Sequence, residues 1–416
     1  MTRPRAFLGL ALLTGLNLVN YLDRYVLASV VPPIKAELSL SDGEIGWLSS
    51  AFMIGYFATA PLFGYLGDRW PRKWLIFFGI LFWSAGTILS GLCHEYWTLM
   101  LCRVLVGLGE ASYAVLSPPW IADLFPAGRR NNALTIFYVA TPVGSALGYL
   151  LGGLALSHGG WRTGFFWAGA PGLILALALL LLREPPRDGE PAGAASAKPR
   201  LGGFMKLFGI GEFNLVLAGL TAYTFALGAF AAWGPTFLNR VHGLDLPAAD
   251  RFFGAALVVA GLIGTLAGGF AATAWRRNAP AGYAYMLTAS AALTVVAAGA
   301  AFLSPGVEVS MAFLAAAMFL AFLPTGPINT LLIESVPVSL RATSMAASLF
   351  VIHLLGDFWS PAIVGLIADW AYVPQSPGAG LQQALLLLPA VFSLSVLFWG
   401  WLALRQARRP RPGFAQ

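Results

Sequence analysis

The chain is 416 residues long, with 10% charged and 58% hydrophobic residues. A soluble globular protein carries roughly a quarter charged residues, so this composition excludes a water-soluble fold, a disordered chain, a collagen and a coiled coil. The net charge of +7 raises nucleic acid as a partner, and the placement of the charges described below removes it.

A membrane-crossing helix needs about 20 mostly apolar residues. Such runs are expected at 6–31, 44–66, 74–93, 97–122, 132–157 and 163–183, and again at 211–234, 252–275, 281–303, 309–333, 343–367 and 380–404. Their length argues for helices, because the strands of a membrane barrel read as alternating segments of about 10 residues. The first run is too long for a cleavable signal peptide and holds Asn17, Asn20 and Asp23. Between the sixth and seventh runs, 184–210 is rich in Pro, Gly and charge. It reads as a tether. The expected domains are therefore a six-helix bundle at 1–183, a linker at 184–210 and a second six-helix bundle at 211–416.

Lys and Arg fix the expected orientation. With both termini in the cytoplasm, that side receives Arg3 and Arg5, the Arg69/Arg72/Lys73 loop, Arg129 and Arg130, and five basic residues of the linker. It also receives Arg276 and Arg277, Arg341 and the four arginines at 405–411. Lys35, Arg162, Arg240 and Arg251 fall opposite, and Arg24 and Arg103 lie within spans. This asymmetry serves topology and contact with anionic lipid, not a nucleic-acid partner.

Two segments repeat at corresponding places. Asp123-Leu-Phe-Pro126 with Arg130, and Glu334-Ser-Val-Pro337 with Arg341, each set an acid three residues before Pro and an Arg four residues after it. A degraded second match pairs Gly64–Arg69 with Gly269–Thr273. Two matches at equivalent positions point to a duplicated bundle, the architecture of carriers that rock one half against the other.

These residues resemble the major facilitator superfamily. Gly64-Tyr-Leu-Gly-Asp68-Arg69-Trp-Pro-Arg72-Lys73 resembles its loop 2–3 signature with Pro71 where Gly is usual, and Arg103-Val-Leu-Val-Gly107-Leu-Gly109 resembles its fourth-helix signature. Gly144-Ser-Ala-Leu-Gly148-Tyr149 resembles the antiporter motif, with Tyr149 in place of the usual Pro. Asn20-Tyr-Leu-Asp23-Arg24 and Gly107-Leu-Gly-Glu110-Ala-Ser-Tyr113, followed by Pro118, resemble the spinster family within it. The resemblance implies twelve helices in two pseudo-symmetric bundles and transport of lysolipid-type or sphingolipid-type amphiphiles.

Five charged residues fall well inside the spans: Asp23, Arg24, Arg103, Glu110 and Asp357. Each costs at least about 2.5–3.5 kcal/mol at membrane depth, which makes each a functional candidate. At 1.5 Å per residue, Asp23 lies roughly 12 Å and Arg103 roughly 9 Å from the outer ends of antiparallel helices. An Asp23–Arg103 ion pair is therefore expected, with Glu110 two turns deeper on the face of Arg103. Asp23, Arg103 and Glu110 are assigned to proton coupling and gating, with helix fastening as the competing role. Arg24, beside Asn20 and Tyr21, is assigned to an anionic head group, because guanidinium matches phosphate geometry.

Tyr113, Tyr223, Asn329 and the His353/Asp357 pair, four residues apart on one helix face, complete the expected substrate contacts. For the His353/Asp357 pair the alternative is a His satisfied by its neighbour. Asp68, Arg69, Arg72, Arg130 and Arg341 form an expected cytoplasmic gate, with Asp68 set against the positive end of the eleventh helix near Ser344. Gly144, Gly148, Gly152 and Gly153 suit close helix packing, expected at the interface of halves.

Cys93 and Cys102 are too few for a disulfide framework or zinc site and read as buried thiols. The four His residues lie in separate segments, and no phosphate-cradling loop occurs. Neither an enzyme, a metal site nor ATP-driven transport is expected. The expectation is a monomeric secondary carrier of a bacterial inner membrane that uses protons as coupling ion and no other cofactor. Its expected substrate is an amphiphilic lipid or small organic anion, and a proton-driven drug exporter is the alternative.

Overall fold

The computed structural model describes residues 3–67, 69–184, 201–337, 340–376 and 378–408, and these are helical apart from turns and one isolated bridge between Val373 and Ser376. The first half holds α1 (Arg3–Ser29), α2 (Val31–Leu38), α3 (Asp42–Gly67), α4 (Arg72–Ser90), α5 (Tyr96–Leu124), α6 (Ala127–His158) and α7 (Trp161–Leu179). After α8 (Leu201–Phe208), the second half holds α9 (Gly211–His242), α10 (Leu246–Val259), α11 (Thr265–Asn278), α12 (Gly282–Leu303), α13 (Val307–Phe322) and α14 (Thr325–Glu334). It closes with α15 (Arg341–Ile352), α16 (Ser360–Trp370), α17 (Ala379–Leu385) and α18 (Leu387–Ala407). Twelve spans among the described residues are long and apolar enough to cross a bilayer, each overlapping one expected from the sequence.

The structure departs from the sequence reading at three places. Val31–Leu38 is a separate helix whose first turn carries Pro32 and Pro33, where a missing N–H costs nothing. It ends at Ser39 with φ 53°, and Ser41 and Glu44 then form a reciprocal capping box at the start of α3. The seventh and eighth spans extend to His242 and back to Leu246, because helices continue through the charged residues that ended the hydropathy runs. Within the expected linker, Leu201–Phe208 forms α8, which packs on α9 and α15 and is tied to α9 by Asn214 Nδ2 donating to the Phe208 carbonyl at 2.7 Å. The stretch 185–200 of the linker lies outside the described residues.

The chain forms two compact units: Met1–Ser196 with Gly243–Leu257, and Ala197–His242 with Val258–Gln416. In the first, α1 lies along α6. A Cβ at Gly144, Gly148 or Gly152 would strike Leu18, Leu22 and Tyr25, or Ser29 of α1. Gly144, Gly148 and Gly152 thus form an interface inside one bundle, where small residues let backbones approach, whereas Gly153, the fourth of the expected set, meets Pro247 and Asp250 of α10, a helix of the chain's second half. Trp83, Trp120, Tyr113 and Phe137 fill the core beside it.

In the second unit, α9, α12 and α18 pack around Trp399, which lies on Gly219 and donates its indole N–H to the Val216 carbonyl at 3.2 Å. Two spans contain π-turns, Ala260–Gly264 between α10 and α11 and His353–Asp357 after α15. Such turns interrupt helices mostly at functional positions.

Candidate functional site

The polar centre of the first unit is built by α1 and α5. Asp23, Arg103 and Glu110 are almost wholly buried, and the Arg24 side chain is 20% exposed. Arg24 Nη2 donates to Glu110 Oε2 at 2.5 Å. Arg103 Nη1 stands 3.9 Å from Asp23 Oδ1, an ion pair without a hydrogen bond. The expected Asp23–Arg103 pair is therefore the loose one. The tight pair joins Glu110 to Arg24, the residue the sequence reading gave to a head group.

Two further residues complete this centre. Thr87 Oγ1 of α4 lies within hydrogen-bonding reach of the Asp23 carboxylate and 2.9 Å from the Trp83 carbonyl. Its single proton serves one of them at a time. Phe52 of α3 presents its ring to both guanidiniums, 4.8 Å from Arg24 Cζ and 5.9 Å from Arg103 Cζ, while Tyr21 flanks Arg24 at 5.0 Å. These contacts spread the positive charge over aromatic faces. Nothing in the sequence marked Thr87 or Phe52, since both sit in apolar runs and act only through neighbouring helices.

The centre holds two acids and two bases, and its hydrogen bonding is incomplete. Asn20 Nδ2, Asp23 Oδ1, Arg24 Nε, Arg103 Nε and Nη1, and Glu110 Oε1 are buried without a hydrogen-bond partner among the described residues. Unused donors and acceptors in a low-dielectric setting are where a proton or a charged ligand has most effect.

The remaining expected substrate residues are dispersed. Tyr113 is buried and donates its hydroxyl to the Leu13 carbonyl, with its ring against Trp83 at 5.5 Å, so its polar group is already engaged within the core. Tyr223 likewise donates to the Ala321 carbonyl between Phe392 and Trp399. Asn329 is exposed, with Nδ2 on the Thr325 carbonyl at 3.0 Å. His353 Nδ1 stands 3.1 and 3.0 Å from the two Asp357 oxygens, so this His is met by its neighbour. A small apolar cleft in the second unit lies between α9, α12, α13 and α18, lined by Leu227, Phe230, Thr294, Phe302, Met318 and Phe392.

Of the expected gate, Asp68 and the side chains of Arg130 and Arg341 lie outside the described residues. Arg69 stacks on Tyr65, 3.6 Å from its ring centre. Arg72 Nη1 bonds Asp123 Oδ2 at 2.6 Å, and Glu184 caps α4 by accepting from the Arg72 and Lys73 backbone N–H groups. The second unit repeats the pattern with Arg276 Nη2 3.5 Å from Glu334 Oε2. Asp123 and Glu334 are the two acids of the sequence repeat. Each meets an Arg from the loop flank two helices back.

Between α2 and the start of α7, Glu37 Oε2 accepts from Trp161 Nε1 at 2.7 Å and from Arg162 Nη1 at 2.8 Å. Arg162 Nη2 in turn reaches the Cys93 carbonyl and His94 Nδ1, each at 3.0 Å. The Trp161 hydrogen bond first, and Arg162 next, hold the Glu37 carboxyl below the ordinary carboxylate range.

The Major Facilitator Superfamily profile matches residues 13–361, and Protein spinster homolog 3 of Danio rerio is 32% identical over 426 residues, covering 96% of this chain and 85% of that protein. The chain belongs to the spinster family of the major facilitator superfamily. Among its spinster relatives, the sphingosine-1-phosphate transporter SPNS2 of Danio rerio is 32% identical over 418 residues, covering 92% of this chain and 81% of that one. The spinster fold is matched by the crystal structure of a bacterial homologue of the human lysosomal transporter spinster, in an inward-facing and unoccupied conformation. Its TM-score is 0.87 and its identity 24%, with 99% of this chain and 100% of that one covered. A D-xylose–proton symporter shares the fold at a TM-score of 0.75 and 17% identity. This spinster-family protein is a multi-pass membrane transporter.

Proposed function

We propose that the chain carries an anionic, single-chain amphiphile of lysolipid or sphingoid type, or a small organic anion, across a bacterial inner membrane by proton-coupled alternating access. The excess of Lys and Arg in alternate loops supports cytoplasmic termini. The observation that carries the reading is the 2.5 Å Arg24–Glu110 pair set beside Asp23 and Arg103. Arg24 is the member of the group with an exposed edge, and it is held by an acid that a proton neutralises. When Glu110 takes a proton, Arg24 loses its counter-charge and gains affinity for a phosphate or carboxylate.

Thr87 gives Asp23 a matching pair of states. An ionised Asp23 accepts the Thr87 hydroxyl proton, and a neutral Asp23 donates to Thr87 while Thr87 donates to Trp83. Both arrangements keep every hydrogen in a bond, so little reorganisation accompanies the change of charge. Relatives named as sphingosine-1-phosphate and sphingolipid transporters support the lipid class.

The test is counterflow and uptake of a labelled lysophospholipid in proteoliposomes, with and without a pH gradient. The proposal expects exchange in both cases and accumulation only with the gradient. Absence of any exchange of lysophospholipid, sphingoid phosphate or organic acid removes the substrate class, and accumulation indifferent to pH removes the coupling.

A further inference from the structure

Asp250 stands apart from the α1–α5 charges. It lies on α10, in the stretch Gly243–Leu257 that belongs to the first unit, and its side chain is fully buried. Neither carboxyl oxygen has a hydrogen-bond partner among the described residues. Opposite it is Gly153 of α6, where an added Cβ would come within 3.2 Å of Asp250 Oδ2. One turn further on, Gly254 brings α10 against the Ala146 carbonyl and Leu150, and the Tyr149 and Phe253 rings stand 5.9 Å apart. Small residues on both helices thus hold the carboxyl in a close-packed seam.

The titratable and charged groups facing this carboxyl are Tyr149 of α6, backed by Tyr25 of α1 at 5.3 Å, and exposed Arg251 on its own helix. Neither phenol supplies a positive charge, and no cation pairs with Asp250 among the described residues. A carboxylate so placed is not stabilised as an ion, and burying its neutral form costs far less than burying the charge. Asp250 is also untouched by the Arg24–Glu110 and Asp23–Arg103 pairs.

We infer that Asp250 is a second proton-binding site, which holds its proton while α6 and α10 are packed and lets the seam part when the proton leaves. Ionised, the group gains most from water, and parting of the two helices supplies it. Linkage makes the effect reciprocal: acid closes the seam, and closure of the seam takes up a proton. The span that begins at Leu246 passes from the first unit to the second at Leu257/Val258, just before the Ala260–Gly264 π-turn. A proton at Asp250 therefore governs the segment of that span lying with the first unit, whatever substrate is carried.

The experiment needs no transported substrate. Full-length protein with Cys93→Ser and Cys102→Ser is spin-labelled at Leu154→Cys on α6 and Ala255→Cys on α10, both exposed positions. In lipid nanodiscs, the distance distribution is read by pulsed electron resonance from mildly acid to alkaline pH. The expected result is a single short distance in acid, with the ratio of long to short populations rising about tenfold per pH unit as one proton is lost. With Asp250→Asn the short distance persists at every pH. Asp250→Ala serves as a second neutral form where the Asn variant fails to fold. A distribution unmoved by pH with Asp250 in place, or a shift that survives in either neutral variant, overturns the inference. Loss of lysophospholipid transport leaves this readout unaffected, so the two proposals fail separately.

Discussion

Glu110 on α5 accepts a 2.5 Å hydrogen bond from Arg24 on α1, while the preceding residue of α1, Asp23, faces Arg103, seven residues before Glu110. Two neighbours on one helix thus reach partners two turns apart on the next. The long Arg24 side chain makes this crossed pairing feasible. Truncating one partner of such a pair leaves the other charge uncompensated. Glu110→Ala is expected to destabilise the protein by about 3 kcal/mol, and Glu110→Gln by about 1 kcal/mol, because its amide oxygen still accepts from Arg24. Thermal unfolding in detergent checks the order, and equal losses would contradict a stabilising hydrogen bond retained by the Gln amide.

Thr87 links the Asp23 carboxyl to the Trp83 carbonyl. Thr87→Val keeps the shape and removes the relay. Both forms of Asp23 then lose their Thr87 partner, and because the charge-assisted bond to the ionised form is the stronger, the neutral form is favoured. The midpoint of any pH-dependent transport that runs through Asp23 should move to higher pH, with folding intact. Uptake measured across pH in vesicles reads the shift, and an unchanged midpoint would remove Thr87 from the proton path.

Glu37 offers a test of electrostatics away from the bilayer centre. Its carboxyl is held low by Trp161 and Arg162, so its contribution to stability is full above the unfolded carboxyl value of about 4.3. That contribution fades as pH falls through the lower folded value. The Tm advantage of the wild type over Glu37→Gln should be largest near neutral pH and shrink in acid. An advantage that grows in acid would reverse the sign.

The paired arginines at 72 and 276 should show the duplicated design. Arg72→Ala is expected to cost about 1 kcal/mol at its 2.6 Å pair with Asp123. Arg276→Ala, at a 3.5 Å pair with a more exposed Glu334, should cost less. An Asp123→Arg exchange combined with Arg72→Asp should recover part of the loss. Double-mutant cycles on Tm measure the coupling, and strict additivity of the two changes would argue against a direct bond.

Most of the fold was legible because bilayer thickness imposes a length on each span, and the Asp123/Glu334 repeat marks the duplication. The candidate centre was legible by depth but not by azimuth. Charges at membrane depth singled out Asp23, Arg24, Arg103 and Glu110, yet helix rotation decides which acid meets which base. The same ambiguity sent Tyr113 and Tyr223 to a substrate site, when each hydroxyl closes a neighbouring carbonyl inside the core. Asp250 escaped because it lies just before the apolar run expected at 252–275, where an acid reads as a loop residue. Only the packing of α10 on Gly153 shows that it is buried.

The most direct measurement of proton coupling through the α1–α5 centre compares counterflow with gradient-driven accumulation of a labelled lysophospholipid by Glu110→Gln in proteoliposomes. The account predicts that counterflow persists while accumulation driven by the pH gradient is lost. Accumulation at the wild-type level in that variant would contradict it.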